Sequence, residues 1–276
     1  MSSINALNKS NSMLSTAMER LGTGKRINSA ADDAAGMQIA SRLQGQSNGM
    51  AVAQRNISDA TAMLQTAEGA FDEVSNIMYR MKDLATQAAN DTNSSKDREA
   101  LDSEFQELNK ELTNIMGNTT YGGEKLLTGG KLENTMNFQI GASSQENMSV
   151  NLSAEMTNVN DSLTNASGGL SSITLKANAS GAAPDYATAI TNIESALENV
   201  GTVRSSLGAN INRLGHTAAN LANMKDNTEL ALGNIQDADF ASEASSMTRN
   251  QMLAQTSMSM LKQSNSMSGM VMSLLG

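Results

Sequence analysis

The sequence predicts a mainly α-helical protein, built as a long antiparallel helical bundle with terminal coiled-coil helices and a small β-hairpin region. The chain of 276 residues contains one proline and no cysteine or tryptophan, and 3% of its residues are aromatic. Alanine, methionine, glutamine, glutamate and leucine lose little side-chain freedom in a helix, so a chain rich in them favours long helices. Apolar residues also recur at helical spacing along most of the chain.

The first segment carries a heptad stripe of apolar residues that only Asn11 interrupts: Ile4, Leu7, Leu14, Met18 and Leu21. This spacing is typical of a coiled-coil helix. The stripe ends at residues 22–24, Gly-Thr-Gly, which predicts a connector between two helices. Ser29, with Asp32 three residues later and Asp33 beside it, is expected to cap the second helix.

A very long helix is predicted from about residue 43 to residue 90. This stretch contains no proline, and its apolar residues recur at helical spacing from Ile57 to Leu84. The polar run 91–95 ends the helix, and a shorter amphipathic helix follows from Ala100 to Met116. Because the loop between them is short, we expect the two helices to be antiparallel neighbours.

Glycines punctuate the central stretch of the chain. Segments 136–140 and 148–152 alternate apolar and polar residues, which predicts a β-hairpin or a small sheet. Residues 153–185 are rich in Ser, Asn, Thr, Ala and Gly and include Pro184, so they are interpreted as a surface segment of unspecified fold. Helical spacing resumes at Ala187 and predicts another long helix.

The last segment, which begins at about Asp239, carries two apolar stripes. The first consists of Phe240, Ala244, Met247, Gln251, Ala254, Met258 and Leu261. The second consists of Leu253, Met260, Met267, Val271 and Leu274. A single helix with two apolar faces needs neighbours on both sides, which indicates self-association.

Composition argues against several classes of protein. The absence of cysteine excludes a disulfide framework and thiolate metal sites. No segment reaches the length of roughly 18 apolar residues that a membrane span needs, and Met1 to Leu21 lacks the pattern of a cleavable export signal. No basic cluster is interleaved with aromatic residues, so nucleic-acid binding is not expected.

The net charge of −9 is unevenly spread along the chain. Residues 1–43 and residues 244–276 each carry +2, so the region between them carries −13. Two interpretations stay open for the acidic centre: a solvated surface, or an acidic exterior combined with a non-acidic assembly surface.

The residues offer little for catalysis. The single histidine, His216, is expected on a helix surface. The pairs Asp32–Asp33 and Asp237–Asp239 are interpreted as helix caps and connector contacts in preference to a metal site or an acid–base pair. The methionines fall with leucine and valine, which favours packing over a ligand surface. We therefore expect no enzymatic activity, no cofactor and no metal.

Two stretches are specific enough to suggest a family. Residues 25–43, KRINSAADDAAGMQIASRL, resemble the connector signature of bacterial flagellins. Residues 234–241, NIQDADFA, together with MTRNQ at 247–251 and the final SLL at 273–275, resemble the flagellin C-terminus. The resemblance covers about residues 1–125 and 187–276.

The resemblance implies a structural subunit that polymerises into the extracellular flagellar filament used for motility, after export through the type III channel. The implied segments are an N-terminal inner-core helix with its connector (1–42), N-terminal outer-tube helices (43–120), a β-hairpin and short variable surface region (121–185), a C-terminal outer-tube helix (186–236) and a C-terminal inner-core helix (237–276). The short variable region and the methionine-rich tail resemble lateral, swarming-type flagellins.

The resemblance also implies roles for individual residues. The connector residues with an assembly role are Arg26, Asp32, Asp33 and Arg42. The inner-core helices would pack through Ile4, Leu7, Leu14, Met18, Leu21, Met258, Leu261, Leu274 and Leu275. Arg80 and Leu84 match positions that the flagellin-sensing Toll-like receptor reads, and Glu104 matches the acidic partner on the following helix.

The implied partners are further copies of the chain, a flagellar export chaperone, the hook-associated junction and cap proteins, and the host receptor, with neither nucleic acid nor membrane. The alternative is the hook–filament junction protein, whose ends are related to those of flagellin. We also expect residues 1 to about 40 and about 240 to 276 to be largely disordered in the monomer and to become helical on polymerisation.

Overall fold

The computed structural model describes residues 2–276, apart from the side chains of Ser2, Ser3 and Leu275. The fold is mainly helical, as predicted. The helices are α1 (Ser2–Thr23), α2 (Ala34–Ala88), α3 (Ser95–Asn118), α4 (Ser153–Thr164), α5 (Tyr186–Gln236) and α6 (Phe240–Leu275). The strands are β1 (Thr120–Tyr121), β2 (Glu124–Lys125), β3 (Met136–Gln139) and β4 (Asn147–Val150).

The chain divides into two compact units. The first comprises Met1–Asn48 with Met224–Gly276, and the second comprises Gly49–Asn223. Helices α2 and α5 each contribute residues to both units. The segment boundaries expected from the sequence stay a prediction.

The second unit has a hydrophobic core supplied largely by α2 and α5. The side chains of Leu64, Phe71, Leu84, Ile193 and Leu207 recur at helical spacing on these helices and are fully buried. Ion pairs also join the two helices. The guanidinium of Arg204 lies 2.7 Å from Glu68 and 2.9 Å from Asp72, and Lys82 lies 2.8 Å from Glu194.

The loop between α2 and α3 is fixed by capping contacts. Ser94 and Asp97 form a reciprocal capping box at the start of α3. Arg98 donates from Nε to the carbonyl of Ala88 at the end of α2, over 3.0 Å, and its guanidinium stacks over the ring of Tyr186. Satisfied helix ends explain why the polar run at residues 91–95 stops one helix and starts the next.

The predicted hairpin is present as β3 and β4, which pair antiparallel with Met136 opposite Val150. A smaller hairpin, β1 with β2, was not predicted. Its two-residue turn consists of Gly122 and Gly123, which both have positive φ angles of the kind that tight hairpin turns require. A two-residue strand is too short to show an alternation of apolar and polar residues.

The surface segment 153–185 contains a helix that its composition did not reveal. α4 buries Met156, Val159 and Leu163 on one face.

Downstream of α4, the chain is anchored by Asp102 of α3, whose buried carboxylate accepts a hydrogen bond from the backbone N–H of Leu175 over 2.8 Å. The same carboxylate lies 3.7 Å from the ammonium of Lys176. Gln106 of α3 also donates from Nε2 to the carbonyl of Ile173 over 2.9 Å, so two side chains on α3 hold the irregular segment 173–176.

We expect Asp102→Ala to detach this segment and to lower the free energy of unfolding of the second unit by about 1–3 kcal/mol, because the buried N–H of Leu175 loses its acceptor. Asp102→Asn retains an oxygen acceptor and is expected to cost less. Urea unfolding and hydrogen exchange at residues 173–176 measure the two effects. The control is Glu107→Ala, which removes an exposed carboxylate from the same helix. An Asp102→Ala variant as stable as this control would contradict the prediction.

Candidate assembly surface

The two predicted connectors of the first unit pair with each other through their backbones. Gly24 has a φ angle of 71°, which turns the chain out of α1. Lys25 forms an antiparallel bridge with Asp237. On either side of it, Arg26 N–H donates to the carbonyl of Gln236 over 2.6 Å, and Ala238 N–H donates to that of Gly24 over 3.0 Å. The connector before α2 is thus tied to the connector between α5 and α6.

The predicted connector side chains only partly meet. Arg26 donates to the carbonyl of Ile235 over 2.9 Å and lies 3.9 Å from the carboxylate of Asp33. Asp32 accepts from the backbone N–H groups of Asn28 and Ser29, and these bonds hold its pKa below the ordinary value of 3.8. Arg42 is exposed on α2 and forms no ion pair within the described part of the chain. The contacts of Arg26, Asp32 and Asp33 therefore shape a turn of the backbone.

The prediction that Ser29 caps the second helix is wrong. α2 begins at Ala34, and Asp33 is the cap, because its Oδ1 accepts from the N–H of Gly36 over 2.9 Å. Residues 28–32 form a separate turn that Asp32 closes. A Cβ at Gly36 would lie 2.5 Å from Oδ2 of Asp33 and 2.7 Å from Cδ1 of the buried Ile27, so a side chain at this position would have to displace the capping carboxylate of Asp33 and the side chain of Ile27.

Helices α1 and α6 pair antiparallel, since Arg20 near the end of α1 contacts Glu243 near the start of α6. We call the facing residues the α1–α6 seam. On α1 it consists of Leu7, Ser10, Leu14, Ala17 and Leu21, which are buried or half-buried. On α6 it consists of Met247, Asn250, Ala254, Ser257 and Leu261. Both sets follow the three-four spacing of a coiled coil, but half of their members are small or polar.

The seam therefore differs from the predicted stripe. Leu7, Leu14 and Leu21 lie on it, whereas Ile4 and Met18 are 47% and 52% exposed. Sequence reasoning missed Ser10, Ala17 and Asn250 because a search for large apolar residues passes over them, whereas Met247, Ala254 and Leu261 belong to the first predicted stripe of α6. It also missed the ion pair between Arg20 and Glu243, at 3.1 Å. Oppositely charged residues at heptad positions of the two end segments were the available signal.

α6 carries many exposed apolar side chains outside the seam, both on its other sides and beyond Leu261, where the seam ends; we call these residues the α6 outer face. Among the described side chains of this helix, ten large hydrophobic ones are exposed: Phe240, Met252, Leu253, Met258, Met260, Met267, Met270, Val271, Met272 and Leu274. Among the residues predicted to pack, Met258 and Leu274 lie on this face, and Leu261 lies in the seam. The side chain of Leu275 falls outside the described residues. An exposed apolar surface of this extent is typical of an interaction site.

A second predicted group lies in the other unit. Arg80 of α2 donates from Nε to Oε1 of Glu104 on α3 over 2.8 Å, and about half of each side chain is exposed. Tyr79 beside them is exposed as well. Leu84, in contrast, is fully buried in the core of this unit. Its side chain cannot touch a partner while the unit is folded, so the expectation of a direct contact there is corrected.

The described residues show no group of three or more His, Cys, Asp or Glu side chains arranged to hold a metal ion. His216 lies exposed on α5, as predicted. Within the same described part of the chain, none of the helices has both the length and the apolar character needed to cross a membrane. The described methionines differ in burial: those in the second unit, such as Met78, Met81, Met148 and Met156, are buried, whereas most of those on α6 are exposed.

Comparison with known families gives two matches, one for each end of the chain. Residues 1–131 match the bacterial flagellin N-terminal helical region, and residues 190–275 match the bacterial flagellin C-terminal helical region. These ranges contain α1, the connectors, the seam and the α6 outer face. They leave out residues 132–189, which hold β3, β4 and α4.

Individual relatives agree. The flagellin of Halalkalibacterium halodurans is 40% identical over 94% of this chain and 90% of its own length. Polar flagellin F of Vibrio parahaemolyticus is 32% identical over 98% of this chain and 96% of its own length. Among solved structures, a Vibrio parahaemolyticus protein described as flagellar hook-associated matches 75% of this chain and all of its own, with a TM-score of 0.57 at 15% identity, which speaks to the fold alone. The chain belongs to the bacterial flagellin family and is a structural subunit of the flagellar filament, in preference to the hook–filament junction protein.

Proposed function

We propose that the α6 outer face, with the exposed Ile4, Met13 and Met18 of α1, forms the contacts between subunits through which this flagellin polymerises. The observation that carries the proposal is the set of ten exposed large hydrophobic side chains on α6. Burying them would contribute about 1.5–3 kcal/mol each when burial is complete. Nothing within the described part of the chain covers them, whereas neighbouring copies in a filament can.

The composition of the seam supports a role for the α6 outer face in contacts between subunits and for the seam in pairing α1 with α6. Small and polar residues such as Ser10, Ala17, Asn250 and Ala254 make up half of the seam between α1 and α6, while many of the larger apolar side chains of the two helices are exposed outside it. The segments 1–42 and 237–276 would then form the inner core of the filament. The segments 43–120 and 186–236 would form the outer tube, with 121–185 as the variable surface region.

Microscopy of the concentrated protein tests the assembly proposal directly. Negative-stain images are expected to show helical tubes of uniform diameter, and sedimentation should show a critical concentration above which polymer appears. Discrete short caps or persistent monomers at high concentration would contradict it. Seeding with short filament fragments separates slow nucleation from an inability to grow.

The connector residues Arg26, Asp32, Asp33 and Arg42 are proposed to set filament geometry. Asp32 and Asp33 fix the turn and the start of α2, which lies beside the backbone bridge between the two connectors. We expect an Asp32→Ala, Asp33→Ala double variant to form filaments of altered waveform or none. Asp91→Ala, which removes a carboxylate from another loop between helices, is the control. Filaments of unchanged waveform and thermal stability from the double variant would refute this role.

The same proposal has three consequences. The role is wholly structural and without catalysis, the location is extracellular in the filament, and export uses a dedicated chaperone. The exposed apolar side chains of α6 support the chaperone, since such a surface needs a cover before assembly. The junction and cap proteins are proposed as end partners because each end of a head-to-tail filament leaves one half of the contact between subunits uncovered. No nucleic acid or membrane partner is proposed.

We propose that this chain is a lateral, swarming-type flagellin because its central region is short. The two family matches leave only residues 132–189 between them. The alignment with polar flagellin F extends over 362 positions, more than this chain contains, so that relative has residues that this chain lacks. The many methionines of α6 are a second, weaker support.

Recognition by a flagellin-sensing Toll-like receptor is proposed for the exposed pair of Arg80 and Glu104. Their side chains are fixed by a 2.8 Å hydrogen bond, so a partner meets a pre-organised surface. We expect Arg80→Ala to reduce receptor activation by monomer about tenfold, as is common for a central arginine. A reporter-cell assay measures this, with Lys110→Ala on the exposed side of α3 as the control. Equal activation by both variants would refute the assignment.

A further inference from the structure

The α6 outer face is unusual in the chemistry of its apolar residues. Six of its ten exposed large hydrophobic side chains are methionines, and each is between 52% and 78% exposed: Met252, Met258, Met260, Met267, Met270 and Met272. Leucine fills a similar volume and is used at Leu253 and Leu274 on the same helix. The thioether sulfur is the one group on this face that a mild oxidant can modify.

We propose that these six methionines are oxidation sites, and that their conversion to methionine sulfoxide by a peroxide removes an unassembled subunit from polymerisation. In the reaction, one oxygen atom passes from hydrogen peroxide to the thioether sulfur, which is oxidised, and the peroxide is reduced to water. The product is a polar, chiral side chain in place of a flexible apolar one. The inference rests on the proposed role of the α6 outer face in assembly.

Exposure makes the modification selective. Met78, Met81, Met148 and Met156 are fully buried in the second unit, so peroxide reaches them only when that unit opens. The methionines of α6 are accessible before assembly and are covered once neighbouring copies pack on them. The free subunit is therefore the sensitive form, and the filament is the protected one.

The consequence follows from the cost of burying a polar group. Burying a sulfoxide oxygen in an apolar interface costs free energy when no hydrogen-bond donor meets it. The cost recurs at each oxidised methionine of α6. We expect oxidation of the six sites to raise the critical concentration for polymerisation by about tenfold or more. Methionine sulfoxide reductases act on both epimers, so the effect is expected to be reversible.

The test treats purified monomer with graded hydrogen peroxide, stops the reaction with catalase, and follows each methionine by peptide mass spectrometry. The α6 methionines are expected to oxidise at least about tenfold faster than the fully buried Met78, Met81, Met148 and Met156, and their extent of oxidation should track the loss of seeded growth. Treatment with methionine sulfoxide reductases A and B and dithiothreitol should restore growth. The same peroxide dose applied to filaments should leave these residues largely unmodified.

A variant with leucine at all six positions, and also at the exposed Met13 and Met18 of α1, is the matched control, since leucine retains apolar volume and cannot form a sulfoxide. It is expected to polymerise and to be insensitive to peroxide. Should that variant fail to assemble, protein in which norleucine replaces methionine serves the same purpose. Normal growth of monomer oxidised at all six sites, or equal loss of growth in the control protein, would overturn the inference. Failure of untreated wild-type monomer to polymerise would instead refute the assembly proposal.

Discussion

Leu253→Glu combined with Met260→Glu is expected to abolish filament formation while leaving the second unit folded. Both side chains are exposed on the α6 outer face, so the substitutions leave the seam residues Asn250 and Ala254 in place. A carboxylate cannot enter an apolar interface without a partner except at a cost of several kcal/mol. Since each kcal/mol lost per contact recurs at every subunit, the effect on polymer growth is expected to be complete under ordinary conditions.

Negative-stain microscopy and sedimentation measure filament formation, and thermal unfolding followed by circular dichroism reports on the fold of the remainder. The control is Ser171→Glu combined with Thr174→Glu, which adds the same two charges to exposed positions in the region that neither flagellin match covers. This control is expected to assemble. If the α6 variant also formed filaments at the wild-type critical concentration, its outer face would not be the interface.

The long helices and the β3–β4 hairpin could be predicted from the sequence because each has a regular apolar period. α2 and α5 bury residues such as Phe71 and Leu207 at helical spacing, and β3 and β4 alternate apolar and polar residues in register. α4 escaped prediction because it is short and rich in small polar residues, and its three buried residues were not recognised as a face. The exact start of α2 also escaped, since Ser29 and Asp33 both suit a cap and only the tight turn at Asp32 decides between them.

The sequence could predict that the assembly surface lies on the terminal helices, but not which of their apolar residues face the same chain. A stripe of apolar residues shows that a helix face needs a neighbour, but it does not show whether that neighbour belongs to the same chain. Ile4 and Met18 illustrate this: they share the heptad stripe with Leu7 and Leu14, yet they lie outside the seam. Leu84 illustrates the converse, because a position suggested by resemblance to be a contact residue is buried in the core.

The second large effect is expected in the hydrogen exchange of the two terminal helices. The seam buries few large apolar side chains, since Ser10, Ala17, Asn250, Ala254 and Ser257 occupy half of its ten positions. Hydrophobic stabilisation of the isolated α1–α6 pair is therefore small, while the conformational entropy of two long helices opposes their formation. We expect the amides of α1 and α6 to exchange nearly as fast in dilute monomer as in an unfolded peptide.

Polymerisation should reverse this behaviour, because packing of neighbouring copies on the α6 outer face adds the apolar burial that the seam lacks. Protection of α1 and α6 is expected to rise by about 100-fold or more in filaments, which corresponds to roughly 2.7 kcal/mol of added local stability. Amides around Phe71 and Leu207, in the core of the second unit, serve as the internal reference and should be protected in both states. Strong protection of both terminal helices in dilute monomer would show that the seam suffices on its own, and would remove coupled folding from the mechanism while leaving the filament role intact.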